Sequence, residues 1–123
     1  MSPEAIKQDF ESAIIKHISF KARLRSFLYG NASAEAPLRD PEACSLGQWI
    51  ASRLQGPYAG VPGMQELDRE HRLIHARANR LMDLRLAGRQ EEALAGFQEV
   101  QRQADHIVEL LRTIEAKLRT AGV

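Results

Sequence analysis

The segment from Phe97 to Leu118 reads FQEVQRQADHIVELLRTIEAKL, and it decides the fold. Its apolar residues recur at alternating spacings of three and four, which is the period of a helix that buries one face. They are Phe97, Val100, Ala104, Ile107, Leu111, Ile114 and Leu118. Such a pattern is typical of the contact seam of a helical bundle, and it predicts a long helix from about Arg89 to Arg119.

Two more long helices are predicted upstream of this seam. Ser2 and Pro3 form a helix start, because serine can cap free amides and proline suits the first helical position. The apolar stripe that follows extends this helix to about Tyr29. A second stripe begins near Met64 and ends before Gly88, a residue type that commonly terminates helices.

A short helix is predicted between them. Asp40 and Pro41 repeat the cap-and-proline signal, and the helix that they open carries Cys44 and ends near Leu54. Loops are expected at residues 31–39 and 56–63, where proline and glycine accumulate. Because no segment alternates with period two, we expect an all-α fold: an antiparallel four-helix bundle, one domain over residues 1–123, whose short helix carries the cysteine.

Composition narrows the functional class. The 17 basic and 16 acidic residues leave a net charge of +1, which argues against a nucleic-acid partner. The first residues are charged where an export signal needs an apolar region, and no apolar run approaches the roughly 20 residues that cross a bilayer. A single cysteine cannot form an intramolecular disulfide and fits a reducing compartment. We therefore expect a soluble, cytoplasmic protein with no membrane partner.

Three histidines are placed to converge on the bundle interior. His71 and His75 are four residues apart on one helix, so both rings lie on one face, and His17 lies on the inward stripe of the first helix. Taken singly, each is more simply explained as a hydrogen-bonded core histidine. Together they lack only a fourth ligand for a tetrahedral zinc site, and Cys44 is a candidate, although a free cysteine is often just a small buried hydrophobe.

The run CSLGQWI at residues 44–50 adds a packing constraint to this site. Glycine inside a helix costs about 1 kcal/mol relative to alanine, so Gly47 indicates that another helix passes closely there. Trp49, the only tryptophan, is expected to anchor the short helix in the core.

In these residues the chain resembles the chemoreceptor zinc-binding domain family. The family signature is a histidine on the first helix, then Cys-x-Leu/Phe-Gly-x-Trp-Leu, then His-x3-His. Here the matching elements are His17, CSLGQWI at 44–50 and HRLIH at 71–75. Ile50 in place of the commoner leucine is the one departure. The resemblance covers about residues 4–118.

The resemblance implies a zinc ion inside a four-helix bundle. The implied ligands are His17, Cys44, His71 and His75, and the residues that pack the motif are Leu46, Gly47 and Trp49. Domains of this family are commonly dimeric. They serve as regulatory modules of bacterial chemoreceptors or diguanylate cyclases, and they respond to zinc or to oxidants such as hypochlorous acid. We therefore expect a sensory domain that regulates chemotaxis or cyclic-di-GMP signalling, with such a protein as partner or fused domain.

Other functions suit the residues less well. A helical zinc protease needs a glutamate after its first histidine, whereas Arg72 follows His71, and Cys44 as fourth ligand would leave no open position for substrate. A c-type haem needs Cys-x-x-Cys-His, which is absent. The remaining histidine, His106, lies off the apolar seam of its helix, so we expect this side chain to face solvent. We therefore expect that the chain is not an enzyme. A dimerisation bundle, metal-free or with purely structural zinc, remains the alternative.

Two expectations concern behaviour. Cys44 is predicted to be a redox switch, since its thiolate is the nucleophile toward oxidants and its sulfenic acid is a poorer ligand, so that oxidation would free the short helix to move. A homodimer is also expected, because a short helix leaves part of its long neighbours uncovered. That reasoning points to apolar surface near Phe10, Phe20 or Phe27.

Overall fold

The computed structural model describes residues 2–31, 35–56 and 58–120. Residues 32–34 of the first predicted loop, and Pro57 of the second, lie outside the described residues. Five helices are present there and no strand: α1 Pro3–Leu28, α2 Ala36–Arg39, α3 Ser45–Leu54, α4 Met64–Leu86 and α5 Gln90–Thr120. The prediction of an all-α fold is confirmed.

The ends of the long helices follow from local chemistry. Ser2 caps α1, where its Oγ accepts a hydrogen bond from the Ala5 amide at 3.1 Å, and Pro3 occupies the first helical position. Gly30, just beyond the end of α1, has a φ of +97°, a left-handed conformation that closes the last turn. The predicted ends of all three long helices therefore agree with the structure to within one or two residues.

The long helices pack with α5 running opposite to both α1 and α4. Near the start of α5, the Gln90 side chain donates to the Leu28 carbonyl at the end of α1. At the other end of α5, Ile114 lies against Gly63, which immediately precedes α4. The predicted seam of α5 is buried along its whole length, so the inferred helix period is correct.

The predicted short helix differs from the observed structure. It is predicted to open at Asp40 and Pro41, but residues 40–44 form a turn, so α3 begins only at Ser45 and Cys44 is its N-cap residue instead of lying inside a helix. Upstream, α2 at Ala36–Arg39 lies where a loop was predicted. The reason for the turn is Pro41, which disfavours helical backbone in the residue before it. Asp40 accordingly has extended dihedrals (φ −105°, ψ 114°), and its Oδ1 accepts a hydrogen bond from the Glu42 amide.

The three phenylalanines near which apolar surface was predicted are themselves buried. Phe10, Phe20 and Phe27 are 0%, 5% and 9% exposed, so they belong to the core of the single chain. Phe10 is covered by the rings of Trp49 and Tyr58, which means that α3 and the loop after it cover α1 more fully than helix length suggested. In the described part of the chain, the large apolar side chains that remain exposed are Ile15, Ile18, Tyr29, Leu73 and Leu86.

Candidate metal centre

The centre of the site is the histidine pair on α4. His71 and His75 lie one turn apart on the buried face of this helix, with 2% and 1% of their surface exposed. Their Nε2 atoms are 3.1 Å apart. The sequence spacing predicted that both rings share a face, and the structure brings their nitrogens together as two ligands of one ion would be.

A backbone carbonyl fixes the tautomer of His75. Its Nδ1 donates to the carbonyl of Leu38, in the short helix α2, over 2.7 Å. Nδ1 therefore carries the proton, and Nε2, which faces His71, presents a lone pair. Metal-binding histidines almost always have such a partner on the nitrogen that points away from the metal.

Cys44 completes a cluster of three. It is 3% exposed, and its Sγ and one ring nitrogen from each of His71 and His75 all lie within 4.8 Å of one another. In a tetrahedral zinc site with bonds of about 2.0–2.3 Å, ligand atoms are roughly 3.3–3.6 Å apart. Small shifts of these side chains therefore give the spacing that zinc requires.

Glycine at position 47 makes the cluster possible. A Cβ atom there would lie 1.8 Å from the Pro41 carbonyl oxygen and 2.8 Å from Cε1 of His71. The close approach predicted from sequence is thus to the turn that carries Cys44 as well as to α4. Leu46 and Trp49, the other packing residues of the motif, are buried on either side of it.

His17 stands beside this cluster and is not one of the three residues that the structure groups. Its Nε2 donates to the Ala104 carbonyl of α5 at 2.9 Å, and its ring stacks on Phe20, which also contacts the ring of His75. Its other nitrogen, Nδ1, is buried and has no hydrogen-bond partner. A buried acceptor left unpaired is costly, so this atom is suited to a ligand.

Burial keeps all three imidazoles in the neutral form, which is the form that binds metals. Loss of hydration lowers the pKa of His71 to about 3, and the neighbouring His75 and His17 add to the effect. Burial likewise lowers the pKa of His75 and of His17, against the opposing influence of the carbonyls to which they donate. Binding a cation here therefore displaces no proton from an imidazolium near neutral pH.

Two cavities border the site. One cavity of about 130 Å³ has Cys44 in its wall together with Lys16 and Arg23. A second, of about 250 Å³, is bordered by His71 and Gly47. Open space therefore borders the cluster on both sides, although Cys44 itself is almost wholly buried.

His106 lies apart from the cluster, as its position off the seam predicted. It is exposed, and its Nε2 is 3.6 Å from a carboxylate oxygen of Glu70. This fourth histidine is therefore a surface residue beside a carboxylate and is not part of the cluster.

Sequence reasoning missed the network that secures the far end of α3. The carboxylate of Asp9 accepts hydrogen bonds from Trp49 Nε1, from two nitrogens of Arg53 and from the Tyr58 hydroxyl. Burial raises the pKa of Asp9, but these hydrogen bonds outweigh it and hold the pKa below the usual range. The network joins α1, α3 and the loop that follows α3. No local sequence pattern predicts it.

Comparison with known proteins agrees with this geometry. The family model of the chemoreceptor zinc-binding domain matches residues 17–82, more than half of the chain. This span begins at His17 and includes the three clustered residues. No curated protein and no solved structure matches the chain. None of the helices in the described ranges is long and apolar enough to cross a bilayer.

Proposed function

The chain belongs to the chemoreceptor zinc-binding domain family, and from this membership we propose that it is a sensory domain whose zinc site responds to zinc supply or to oxidation of Cys44. The proposed ligands are His17 through Nδ1, Cys44 through Sγ, and His71 and His75 through Nε2. The observation that carries the proposal is the buried cluster of Cys44, His71 and His75, whose ligand atoms lie within 4.8 Å of one another.

The donor set suits zinc. Borderline Zn²⁺ accepts imidazole and thiolate together in a tetrahedral shell, and when bound it would hold the cysteine sulfur as thiolate. The unpartnered Nδ1 of His17 supports the fourth position, because the Ala104 carbonyl already takes the proton of the other nitrogen. With four protein ligands no position is left for a substrate, which favours a regulatory role over catalysis.

Cys44 provides the redox response in this proposal. Its thiolate would attack hypochlorous acid at chlorine, so that a sulfur–chlorine bond forms and hydroxide leaves; water then replaces chloride to give the sulfenic acid. Sulfur loses two electrons and chlorine gains them. The sulfenic acid is a weaker ligand than the thiolate, so the tie between Cys44 and α4 is lost. The cavity of about 130 Å³ with Cys44 in its wall supports access of an oxidant of this size.

The signal would be a change in the segment that carries the cysteine. The turn at 40–44 connects α2, whose Leu38 carbonyl accepts a hydrogen bond from His75, with α3. Releasing Cys44 therefore disturbs both short helices at once, while the long helices keep their own seam. We assign the output to a chemoreceptor or a diguanylate cyclase, as partner or fused domain, and a reducing cytoplasm would keep the thiol competent.

In the same proposal, α2 and α3 together form the fourth element of an antiparallel helical bundle, and the bundle is a single domain. Trp49 and Arg53 on α3 contact Asp9 near the start of α1, whereas Leu38 of α2 borders the same cavity as Phe20, farther along α1. The pair would thus run opposite to α1 and close the site.

The test compares ligand variants with a matched histidine control. Zinc content after purification without added metal, and zinc affinity by chelator competition, are measured for the wild type, His17→Ala, Cys44→Ala, His71→Ala and His106→Ala. We expect one zinc per chain, a loss of at least tenfold in affinity for the three ligand variants and no change for His106→Ala. X-ray absorption should report one sulfur and three nitrogens.

Oxidation separates sensing from a structural role. Hypochlorous acid should release zinc from the wild type, and Cys44→Ala should resist that release. Zinc that stays bound after Cys44 is oxidised would identify a structural site without a sensing function. A chain purified without zinc, and unable to take it up, would leave only a metal-free dimerisation bundle.

A further inference from the structure

The short helix α2 ends in two carbonyl groups that side chains of α4 satisfy. The last carbonyls of any helix lack partners within that helix, and in α2 only the Ala36 carbonyl accepts an amide of the following turn. The Leu38 carbonyl accepts a hydrogen bond from Nδ1 of His75 at 2.7 Å. The next carbonyl, that of Arg39, accepts one from Nδ2 of Asn79 at 2.9 Å. Two side chains one turn apart on α4 therefore cap the end of α2.

Asn79 and Arg39 are joined by a second hydrogen bond in the opposite direction. The Arg39 guanidinium donates to Oδ1 of Asn79 at 3.1 Å, so the asparagine uses both atoms of its amide on one residue of α2. The guanidinium also lies 3.0 Å from the Asp83 carboxylate, one turn farther along α4. These contacts fix both the backbone and the side chain of the last residue of α2 against α4.

The attachment of α2 and the candidate metal site share one face of α4. His71, His75, Asn79 and Asp83 follow one another at intervals of four residues, and residues at this spacing lie above one another on a helix. The first two are proposed zinc ligands, and the last two hold α2. A rigid helix therefore connects the hold on α2 to the position of the ligands.

We propose that Asn79 is a positioning residue of the zinc site, an inference that rests on the function proposed above. Asn79 holds the Arg39 carbonyl in place. The adjacent Leu38 carbonyl, one residue away in the chain, is thereby kept against Nδ1 of His75. This contact keeps the proton on Nδ1 and leaves the lone pair of Nε2 for a metal. If α2 shifts, Nε2 can carry the proton instead, and zinc must then displace it.

The test uses two variants of Asn79 and a matched control. Asn79→Ala removes both hydrogen bonds to Arg39, and Asn79→Asp removes only the donor. Gln90→Ala is the control, because the Gln90 amide also donates to the last carbonyl of a helix, that of Leu28 in α1, at 3.2 Å, but it has no contact with α2. Urea unfolding gives the conditions under which all four chains are folded.

Imidazole nitrogen NMR of the zinc-free chains gives the first readout, since it reports which ring nitrogen of His75 carries the proton. A general loss of stability does not change this property of the folded chain. We expect the proton on Nδ1 in the wild type and in Gln90→Ala. Both Asn79 variants should show a mixture of the two tautomers. A proton that stays on Nδ1 in both variants overturns the proposal.

Zinc affinity by chelator competition gives the second readout. Loss of an outer partner of a metal ligand typically weakens binding about 10–100-fold, and because Asn79 acts through Leu38, we expect a loss of about tenfold in both of its variants. Gln90→Ala should keep full affinity. Unchanged affinity in Asn79→Ala, or wild-type behaviour of Asn79→Asp, overturns the role assigned to the amide donor. A wild type that takes up no zinc refutes the proposed function instead, and the tautomer measurement, made without zinc, still decides whether Asn79 positions His75.

Discussion

Gly47→Ala adds one methyl group at the point where three parts of the site meet. The new Cβ would lie 1.8 Å from the Pro41 carbonyl oxygen and 2.8 Å from Cε1 of His71. Ordinary contact needs about 3.4 Å or more, so the turn and α3 would have to separate by roughly 1.5 Å. The oxygen belongs to the backbone, and it cannot rotate out of the way as the end of a side chain can.

Because the turn moves as a unit, the clash at Pro41 also displaces the ligand residue Cys44. The amides of Ala43 and Cys44 both donate to the Asp40 carbonyl, so a shift of Pro41 also shifts Cys44. Overpacking of this kind typically costs 1–3 kcal/mol, and the better helix propensity of alanine returns at most about 1 kcal/mol. We therefore expect a net loss of up to about 2 kcal/mol in unfolding free energy without zinc. Zinc affinity should fall at least tenfold, since both Cys44 and His71 are displaced.

Gly96→Ala is the matched control, because Gly96 is also a helical glycine against a close neighbour. Its added Cβ meets only Cδ2 at the tip of the Leu81 side chain, which can rotate away. Urea unfolding of the metal-free proteins and zinc competition with a chelator are measured for both variants. Gly96→Ala should be neutral or slightly stabilising and should keep full zinc affinity. If Gly47→Ala behaves in the same way, the close approach is not what requires glycine in the motif.

Two further predictions concern the elements around the site. Asp9→Asn should lower the unfolding free energy by about 1.5–3 kcal/mol near pH 7. Because the pKa of Asp9 is lowered in the folded state, its contribution to stability is complete above the ordinary carboxyl pKa of about 3.9 and is lost as pH falls below that value. The difference in unfolding free energy between the wild type and Asp9→Asn should therefore disappear in acid. Urea unfolding across pH measures this, with the more exposed Asp68→Asn as control; a gap independent of pH would count against it. Removing zinc with a chelator should accelerate hydrogen exchange at residues 38–48 far more than in α5, and uniform exchange with and without zinc would contradict a switch in this segment.

The long helices could be predicted from sequence because their signals are local. Ser2 and Pro3 begin α1, Gly30 and Gly88 lie just beyond the ends of α1 and α4, and the seven seam residues of α5 define a buried face without reference to any other element. The shared face of the histidine pair could also be predicted, since residues four apart on a helix always lie on one face. These inferences need only the geometry of one helix.

The errors arose where two elements compete for the same residues. Pro41 suits the first turn of a helix, but it also forces Asp40 into extended backbone, and the second effect prevailed because α2 ends there. Uncovered apolar surface near the phenylalanines of α1 was predicted from helix length alone. In the structure the rings of Trp49 and Tyr58 cover Phe10, a contact across about 40 residues of sequence that no periodicity encodes.

The Asp9 network alters how a switch at Cys44 can work. If packing alone held α3, its release from the zinc site would let the whole helix separate from the bundle. Instead, Asp9 ties Trp49, Arg53 and the Tyr58 loop to α1 at the opposite end of α3 from Cys44. One charge-assisted cluster therefore anchors the C-terminal half whether or not the cysteine is bound. A change at Cys44 is then confined to the turn, α2 and the first residues of α3, while the core beneath Trp49 stays closed. A ligand bond can thus be made and broken at one end of a short helix without unfolding the domain, because the other end has an independent attachment.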